Sequence, residues 1–390
     1  MRCFLFGSAM CVLLSADALA ASPWQTQLWP APSLRVGNTD GWYAKTRGRI
    51  EMDFVHIEDD QANHRAGIED RRSRFGFVAG YGKHWSAITE LDISGNDLVY
   101  TDVLVRYDNK ENMYITFGNL EESFGVERVQ SSADTLFNEA AAIETFTPKR
   151  NLGAQITRYG NRASFTAGLF TDSFESNANK DKIALTTRAT YVAPIVGGKL
   201  HSGVAASWRK MDQVRFSARP DTALTNINVV STGKLRDADS LRQLGLEAAY
   251  GWQNIMLSAE YMLNEVGREN TDNAQFYGWY TQAAWAITGE HYKYDVSKGA
   301  IFQALKPENA FNPQKGHWGA LELAGRFQTI SLNDVVVQGG ALRAVTGGIN
   351  WYPQAAWRVT GNATYTSSDA KAVTPYDNPI TLALRVRLAF

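Results

Sequence analysis

The segment Leu382 to Phe390 places Leu382, Leu384, Val386, Leu388 and Phe390 on one face of a strand and Ala383, Arg385, Arg387 and Ala389 on the other. Side chains of a strand alternate between faces, so this segment has an oily side and a wet, cationic side. The same period of two recurs upstream. Trp357, Val359, Ala363 and Tyr365 oppose Arg358, Thr360, Asn362 and Thr364. Ile255, Leu257, Ala259, Tyr261 and Leu263 oppose Ser258, Glu260 and Asn264, and Tyr277, Trp279, Ala283, Trp285 and Ile287 oppose Tyr280, Gln282 and Thr288. Alternation also suits a soluble sandwich with one wet face. Three further features favour a membrane barrel. Aromatics (11 Trp, 16 Tyr, 18 Phe) gather toward strand ends, as in Tyr277/Trp279, Trp351/Tyr352 and Tyr107/Tyr114, where interface girdles belong. Short turns such as 81–84, 108–111 and 160–161 alternate with long polar connections. The chain also ends on an aromatic at the tip of an amphipathic strand.

The rhythm predicts sixteen strands, at 47–57, 69–80, 84–95, 97–108, 112–119, 152–160, 162–171, 182–193, 199–211, 241–252, 254–266, 276–289, 317–330, 341–352, 355–367 and 380–390. An even number of strands of roughly 9–11 residues fits an all-β transmembrane antiparallel barrel, which must close because lipid cannot satisfy a free edge. About 16 strands leave an aqueous lumen. Residues 21–46 read as a segment leading into the barrel at 47–390.

Lys+Arg 39 against Asp+Glu 40 gives a net charge of -1, which argues against a nucleic-acid partner. Beyond residue 20 there is no apolar run of about 18 residues, so spanning helices are excluded. Arg2, the apolar stretch Cys3–Ser15 and Ala18-Leu19-Ala20 read as a signal peptide cleaved near Ala20, for export to the outer membrane. Cys3 and Cys11 lie within it, so cysteine catalysis and cysteine metal sites are not expected.

Residues 119–151 interrupt the strand rhythm. A structureless loop beyond about 12–15 residues is usually functional or disordered. Ser131-Ser-Ala-Asp134 resembles a helix-starting capping box, with Leu136, Ala140 and Ile143 at helical spacing behind it. On the residues alone, inward folding and an outward surface loop are both open. Arg49, Arg72, Arg74, Arg106, Arg188, Arg209, Arg326, Arg358, Arg385 and Arg387 share lumen parity, and ionised groups facing lipid cost about 2–4 kcal/mol at mid-depth. Rings of basic residues favour anions. Glu51, Asp53, Glu90, Asp92, Glu247, Glu260 and Glu322 share that parity, so wall salt bridges compete with ion contact for each arginine.

The chain resembles the phosphate-selective porin O/P family of bacterial outer membranes. The resemblance rests on Asp70-Arg-Arg-Ser-Arg-Phe-Gly-Phe77, Phe117-Gly-Asn-Leu-Glu-Glu-Ser-Phe-Gly-Val-Glu-Arg128 with Ser131-Ser132, Tyr277-Gly-Trp-Tyr-Thr-Gln282, Ile287-Thr-Gly-Glu290, Gly319-Ala-Leu-Glu-Leu-Ala-Gly-Arg326 and Gly348-Ile-Asn-Trp-Tyr352. It implies a sixteen-stranded homotrimeric porin in outer-membrane lipid, passing small anions, phosphate foremost. Its third loop would fold inward as a constriction, with an arginine ladder where basic residues strip water from phosphate. Carried over, the anion pathway would comprise Arg49, Arg71, Arg72, Arg74, Arg128, Ser131 and Ser132. Arg215 and Arg219 on a long outer loop are secondary candidates, and Phe390 would be the signal to the insertion machinery. No cofactor or metal is implied. Departures from the family pattern leave a general, weakly selective porin as the alternative. Ser86 stands where a phosphate-specific member has a lysine, a loop arginine is replaced around Asn138-Glu139, and Glu121, Glu122, Glu139 and Glu144 make the loop acidic.

Two other classes remain in view. A barrel enzyme would need a nucleophile and base, but His56, His64, His84, His201, His291 and His317 accompany no hydrolase or zinc motif and read as turn or girdle residues. An adhesive barrel would use the connections 213–240 and 295–316 as a binding surface.

Overall fold

A computed structural model describes residues 25–27, 33–38, 40–60, 64–95, 98–173, 182–369 and 378–390. The proposed signal peptide lies outside them. Sixteen antiparallel strands form one closed wall: β1 (Trp42–Glu58), β2 (His64–Tyr81), β3 (Trp85–Asp92), β4 (Val99–Asp108), β5 (Met113–Glu121), β6 (Arg150–Tyr159), β7 (Ala163–Phe170), β8 (Ala184–Ile195), β9 (Gly198–Lys210), β10 (Ala238–Trp252), β11 (Ile255–Arg268), β12 (Ala274–Ala286), β13 (Ala320–Asn333), β14 (Gln338–Gln354), β15 (Trp357–Ser368) and β16 (Ile380–Ala389). Each strand pairs with its neighbours in sequence, and β16 closes the ring on β1 through pairs such as Leu384↔Phe54 and Arg387↔Glu51. Every strand expected from the alternation is present.

The strand ends shift by no more than five residues, most at the starts of β1 and β2. β1 begins early because Trp42–Arg47 pairs with β2 on one side, while a short strand at Ser33–Gly37 pairs with Tyr43–Lys45 on the other. The lead-in segment thus continues the sheet below the end of β16. Gly48 makes the seam possible. A Cβ there would lie 2.5 Å from the Phe390 ring, and Gly48 and Phe390 exchange backbone hydrogen bonds of 2.7 and 2.9 Å.

Large apolar side chains on alternate positions, among them Ile50, Phe54, Phe117, Leu246, Leu257, Val345 and Leu384, are exposed outward. Their neighbours (Glu51, Asp53, Glu247, Asn264, Arg326, Asn350, Arg385) are buried within the wall. Aromatic pairs such as Trp42/Tyr81 (4.8 Å) and Trp85/Tyr107 (4.9 Å) mark the end carrying the short turns. Tyr352 is a correction to the girdle reading. It is buried on inner parity, and its hydroxyl donates to Glu322.

The lumen is not a plain water-filled bore, contrary to the expectation from strand number. Among the described residues, three connections enter it. Residues 122–149 cross to the far wall, where the amides of Val126 and Glu127 donate to the Glu260 carboxylate on β11. Residues 211–237 follow from the same end, and the Asp221 carboxylate accepts from Arg326 and Gln328. Together with β10–β14 they build an apolar core of Phe124, Ile143, Phe146, Phe216, Phe276 and Ile330 inside the barrel. Residues 287–319 enter from the opposite, short-turn end, carrying a small hairpin of Tyr294–Asp295 and Ile301–Phe302. Arg188 donates to Gly299 O at 2.6 Å, and a Cβ on Gly299 would lie 2.5 Å from Val129. Segments from opposite ends therefore meet inside the barrel.

Candidate permeation pathway

With the β10–β14 side filled, open space lies along β1–β6. Two cavities of about 410 and 560 Å³ share Arg74 and Arg150 in their linings. The smaller is bounded by Gly48 and Phe390 at the seam and by Ser131–Asp134 of the loop. The larger reaches Ser94, Asp172 and Ser173 at the long-loop end. Arg47, Arg49, Arg74 and Arg150 face Glu90, Asp102, Glu121 and Asp134 in the smaller cavity. Among the described residues, Arg74, Arg128, Lys149 and Arg150 face Asp92 and Asp172 in the larger.

These side chains form a continuous ladder of alternating sign. From Arg128 it runs to Glu121 (3.6 Å), Arg150 (2.9 Å) and Asp102 (2.9 Å). It continues to Arg47 (3.8 Å), Glu90 (2.9 Å), Arg74 (3.8 Å) and Asp92 (2.8 Å). The geometry draws on the loop and six strands, β1 to β6. Two bulges help aim it. One in β2 sets Asp70 opposite Met52 and Arg72 opposite Glu51, leaving Arg71 as the extra residue. A second, in β4, lies opposite Glu90. A bulge turns adjacent residues off simple alternation.

The structure brings Arg49, Ser131 and Ser132 together. The Arg49 guanidinium donates to Ser132 Oγ (3.1 Å) and Ser131 Oγ (3.5 Å), and lies 3.3 Å from Glu51. Arg74 and Arg128 line the cavities as well. Arg71 and Arg72 are drawn elsewhere. Arg71 forks onto Glu139 with two bonds of 2.8 Å, and Arg72 donates to Glu51 at 2.5 Å. Both fix the loop and wall, and neither lines the two cavities. Arg215 and Arg219 are exposed on 211–237, away from this group, with Arg215 donating to Ser231.

Among the other parity arginines, wall or loop pairing prevails. Arg188 forks onto Glu247, Arg209 binds Glu122, and Arg326 binds Asp221. Arg385 forks onto Asp53 and reaches Glu139 and Asn138 O. His201 is a correction: rather than an exposed or girdle residue, it is buried between Glu247 (3.2 Å) and Tyr294 (2.8 Å). Among the described residues, no cluster suited to a metal ion is present.

The loop helix expected from Ser131 does not form. Ser131 does start a turn, with the Asp134 amide on its carbonyl at 2.7 Å. The helices are instead Val126–Val129 and a 3₁₀ turn at Ala142–Phe146. Between them, carbonyls that a helix would have used internally are taken by wall residues. Arg358 donates to Ala133, Thr135 and Leu136, Arg385 to Asn138, and Arg326 to Glu139. Charged donors form the stronger hydrogen bonds, so the extended path wins.

The loop carboxyls respond to this setting. Burial opposes ionisation of Glu139, but Arg71, with Arg385 behind it, holds its carboxyl well below the usual carboxylate range. Burial pushes Glu144 up to about 7, with Arg128 opposing and Glu127 adding to the rise. Arg47, Lys149, Arg150 and Asp102 were missed by sequence reasoning. Lys149-Arg150 closes the loop that Arg128 opens, and that bracketing was the available signal.

A family model described as phosphate-selective porin O and P matches residues 44–390. An uncharacterized protein of Caulobacter vibrioides is 25% identical over 354 residues, covering 86% of this chain and 70% of that protein. OmpT, an outer membrane protein of Vibrio cholerae, superposes with a TM-score of 0.58 at 13% identity, covering 90% of this chain and 99% of that one. An anion-selective porin from Comamonas acidovorans gives 0.57 at 12% identity, covering 90% and 100%. The outer membrane channel DcaP of Acinetobacter baumannii gives 0.56 at 10% identity, covering 90% and 99%.

Proposed function

The chain belongs to the phosphate-selective porin O and P family, and from that premise we propose that it is a passive outer-membrane channel for small solutes with a weak preference for anions, phosphate among them. Two cavities along β1–β6 that share Arg74 and Arg150 in their linings support this reading, one lying at the seam and the other at the long-loop end. Long loops belong to the extracellular side and short turns to the periplasm, so the larger cavity is the outer compartment. Its excess of basic over acidic side chains supports attraction of anions at the entrance.

The narrower compartment tempers that attraction. Its four basic side chains meet four acidic ones. Arg49 with Ser131 and Ser132, and Arg74 with Arg128, are the groups we assign to contact with passing anions. Arg71 and Arg72 are assigned to holding the loop. Weak successive sites suit conduction better than one tight site. A homotrimer is the assembly we favour, as the Vibrio cholerae OmpT relative is described in a trimer form. Export by a cleaved signal at residues 1–20 and recognition of Phe390 during insertion complete the reading.

Planar-bilayer reversal potentials in a KCl gradient test it. A modest potential on the anion side, with partial block by added phosphate, is the expected result. Absence of conductance would reject the channel, and a cation-side potential would reject the anion preference.

A further inference from the structure

The passage is walled by charges that alternate in sign at every step from Arg128 to Asp92. All eight members of this ladder line one or both cavities. Each neighbouring pair is in ion-pair contact, between 2.8 and 3.8 Å. A surface of this kind has almost no net charge but a strong field within each repeat.

An ion of single charge that binds one rung is repelled by the rungs on either side. A small molecule carrying an ammonium and a carboxylate meets no such conflict, because each of its ends finds an opposite charge at adjacent rungs. Their spacing, one ion-pair contact, is of the same order as the separation of the two groups in an α-amino acid. Such a solute exchanges pairs with the wall without leaving a rung unpaired, whereas removing one partner of a partly buried pair is costly. Discrimination then comes from the penalty imposed on competitors as well as from attraction.

We propose that this ladder makes the passage selective for small dipolar solutes, amino acids in class, over monovalent ions and uncharged molecules of equal size. The inference rests on the channel reading above. It gives the acidic members Glu90, Asp102 and Glu121 a direct part in recognition, binding the ammonium end. Arg47, Arg74 and Arg150 bind the carboxylate end. The serines beside Arg49 add donors at the narrow side.

The test uses the intact protein in liposomes, with swelling rates measured for glycine, glycolamide and glycolate at equal osmolarity. Glycine is expected to enter severalfold faster than glycolamide, which matches it in size but lacks charge. In the same protein in bilayers, glycine is expected to interrupt the single-channel current while glycolamide does not. Equal entry of glycine and glycolamide, with no current interruption, would overturn the inference and leave the channel standing. Entry of none of the three would overturn both. The double variant Glu90→Gln, Asp102→Asn should lower the glycine-to-glycolamide ratio toward one and raise the glycolate rate. An unchanged ratio in a variant that still conducts would also overturn it.

Discussion

Arg358→Met removes a single guanidinium and tests what seats the loop. Arg358 is buried on β15 and donates to the carbonyls of Ala133 (3.3 Å), Thr135 (2.6 Å) and Leu136 (2.8 Å), and to Asn350 Oδ1 (2.8 and 3.2 Å). Hydrogen bonds from a charged donor contribute about 1.5–3 kcal/mol each, so the three carbonyl bonds hold the 131–137 arc by about 5–9 kcal/mol at most. Methionine fills similar length but donates nothing, and the freed carbonyls demand new partners. The cavity beside Ser131–Asp134 lets the arc move out and find water. Single-channel conductance should therefore fall as the arc enters that cavity, with noisier open states. The ladder of backbone bonds through position 358, including its register with Arg387, is untouched. The temperature at which the barrel unfolds in detergent should shift only slightly. A folded variant with unchanged conductance would refute the claim that this arginine sets the loop's path.

Arg128→Glu turns the outer compartment from an excess of basic groups to balance, so the reversal potential should move toward zero; complete selectivity in a tenfold KCl gradient would give about 59 mV. An unmoved potential would take Arg128 out of the pathway. Glu144 holds its proton up to about 7 because of burial, so raising the pH from 6 to 8 places a negative charge 3.6 Å from Arg128. Anion preference should fall over that window, and Glu144→Gln should abolish the step. The folded loop binds that proton more tightly than the free chain does. Its contribution to loop stability is complete below the ordinary value of 4.5 and disappears as the pH climbs through about 7. Protease accessibility of the loop across pH measures this. Gly48→Val should prevent seating of Phe390 and reduce the fraction of protein that shows heat-dependent gel mobility. Full mobility shift in that variant would show the close contact to be dispensable.

The wall was legible because each strand reports its two faces in its own residues, as β16 does at Leu382–Phe390. The site was legible only where a side chain obeyed that alternation or a shared motif marked it. Arg49 and Arg74 follow parity, and Ser131-Ser132 came from the family motif. Arg71 breaks parity through a bulge, a backbone feature that no local pattern announces. The 131–140 stretch was misread as helical because the groups that claim its carbonyls are Arg326, Arg358 and Arg385, some two hundred residues downstream. The entry of 287–319 into the lumen was hidden for the same reason. Its anchors are Arg188, His201 and Glu322, each on a different strand.

The first and last strands meet beside the smaller cavity, so Gly48, Arg49, Ala389 and Phe390 form part of its boundary. That stretch of the proposed conduit is assembled from the two extremes of the ring and is finished only when they join. A polypeptide shortened by a few residues at its tail would forfeit masonry of that cavity wall, besides the address label we assign to Phe390.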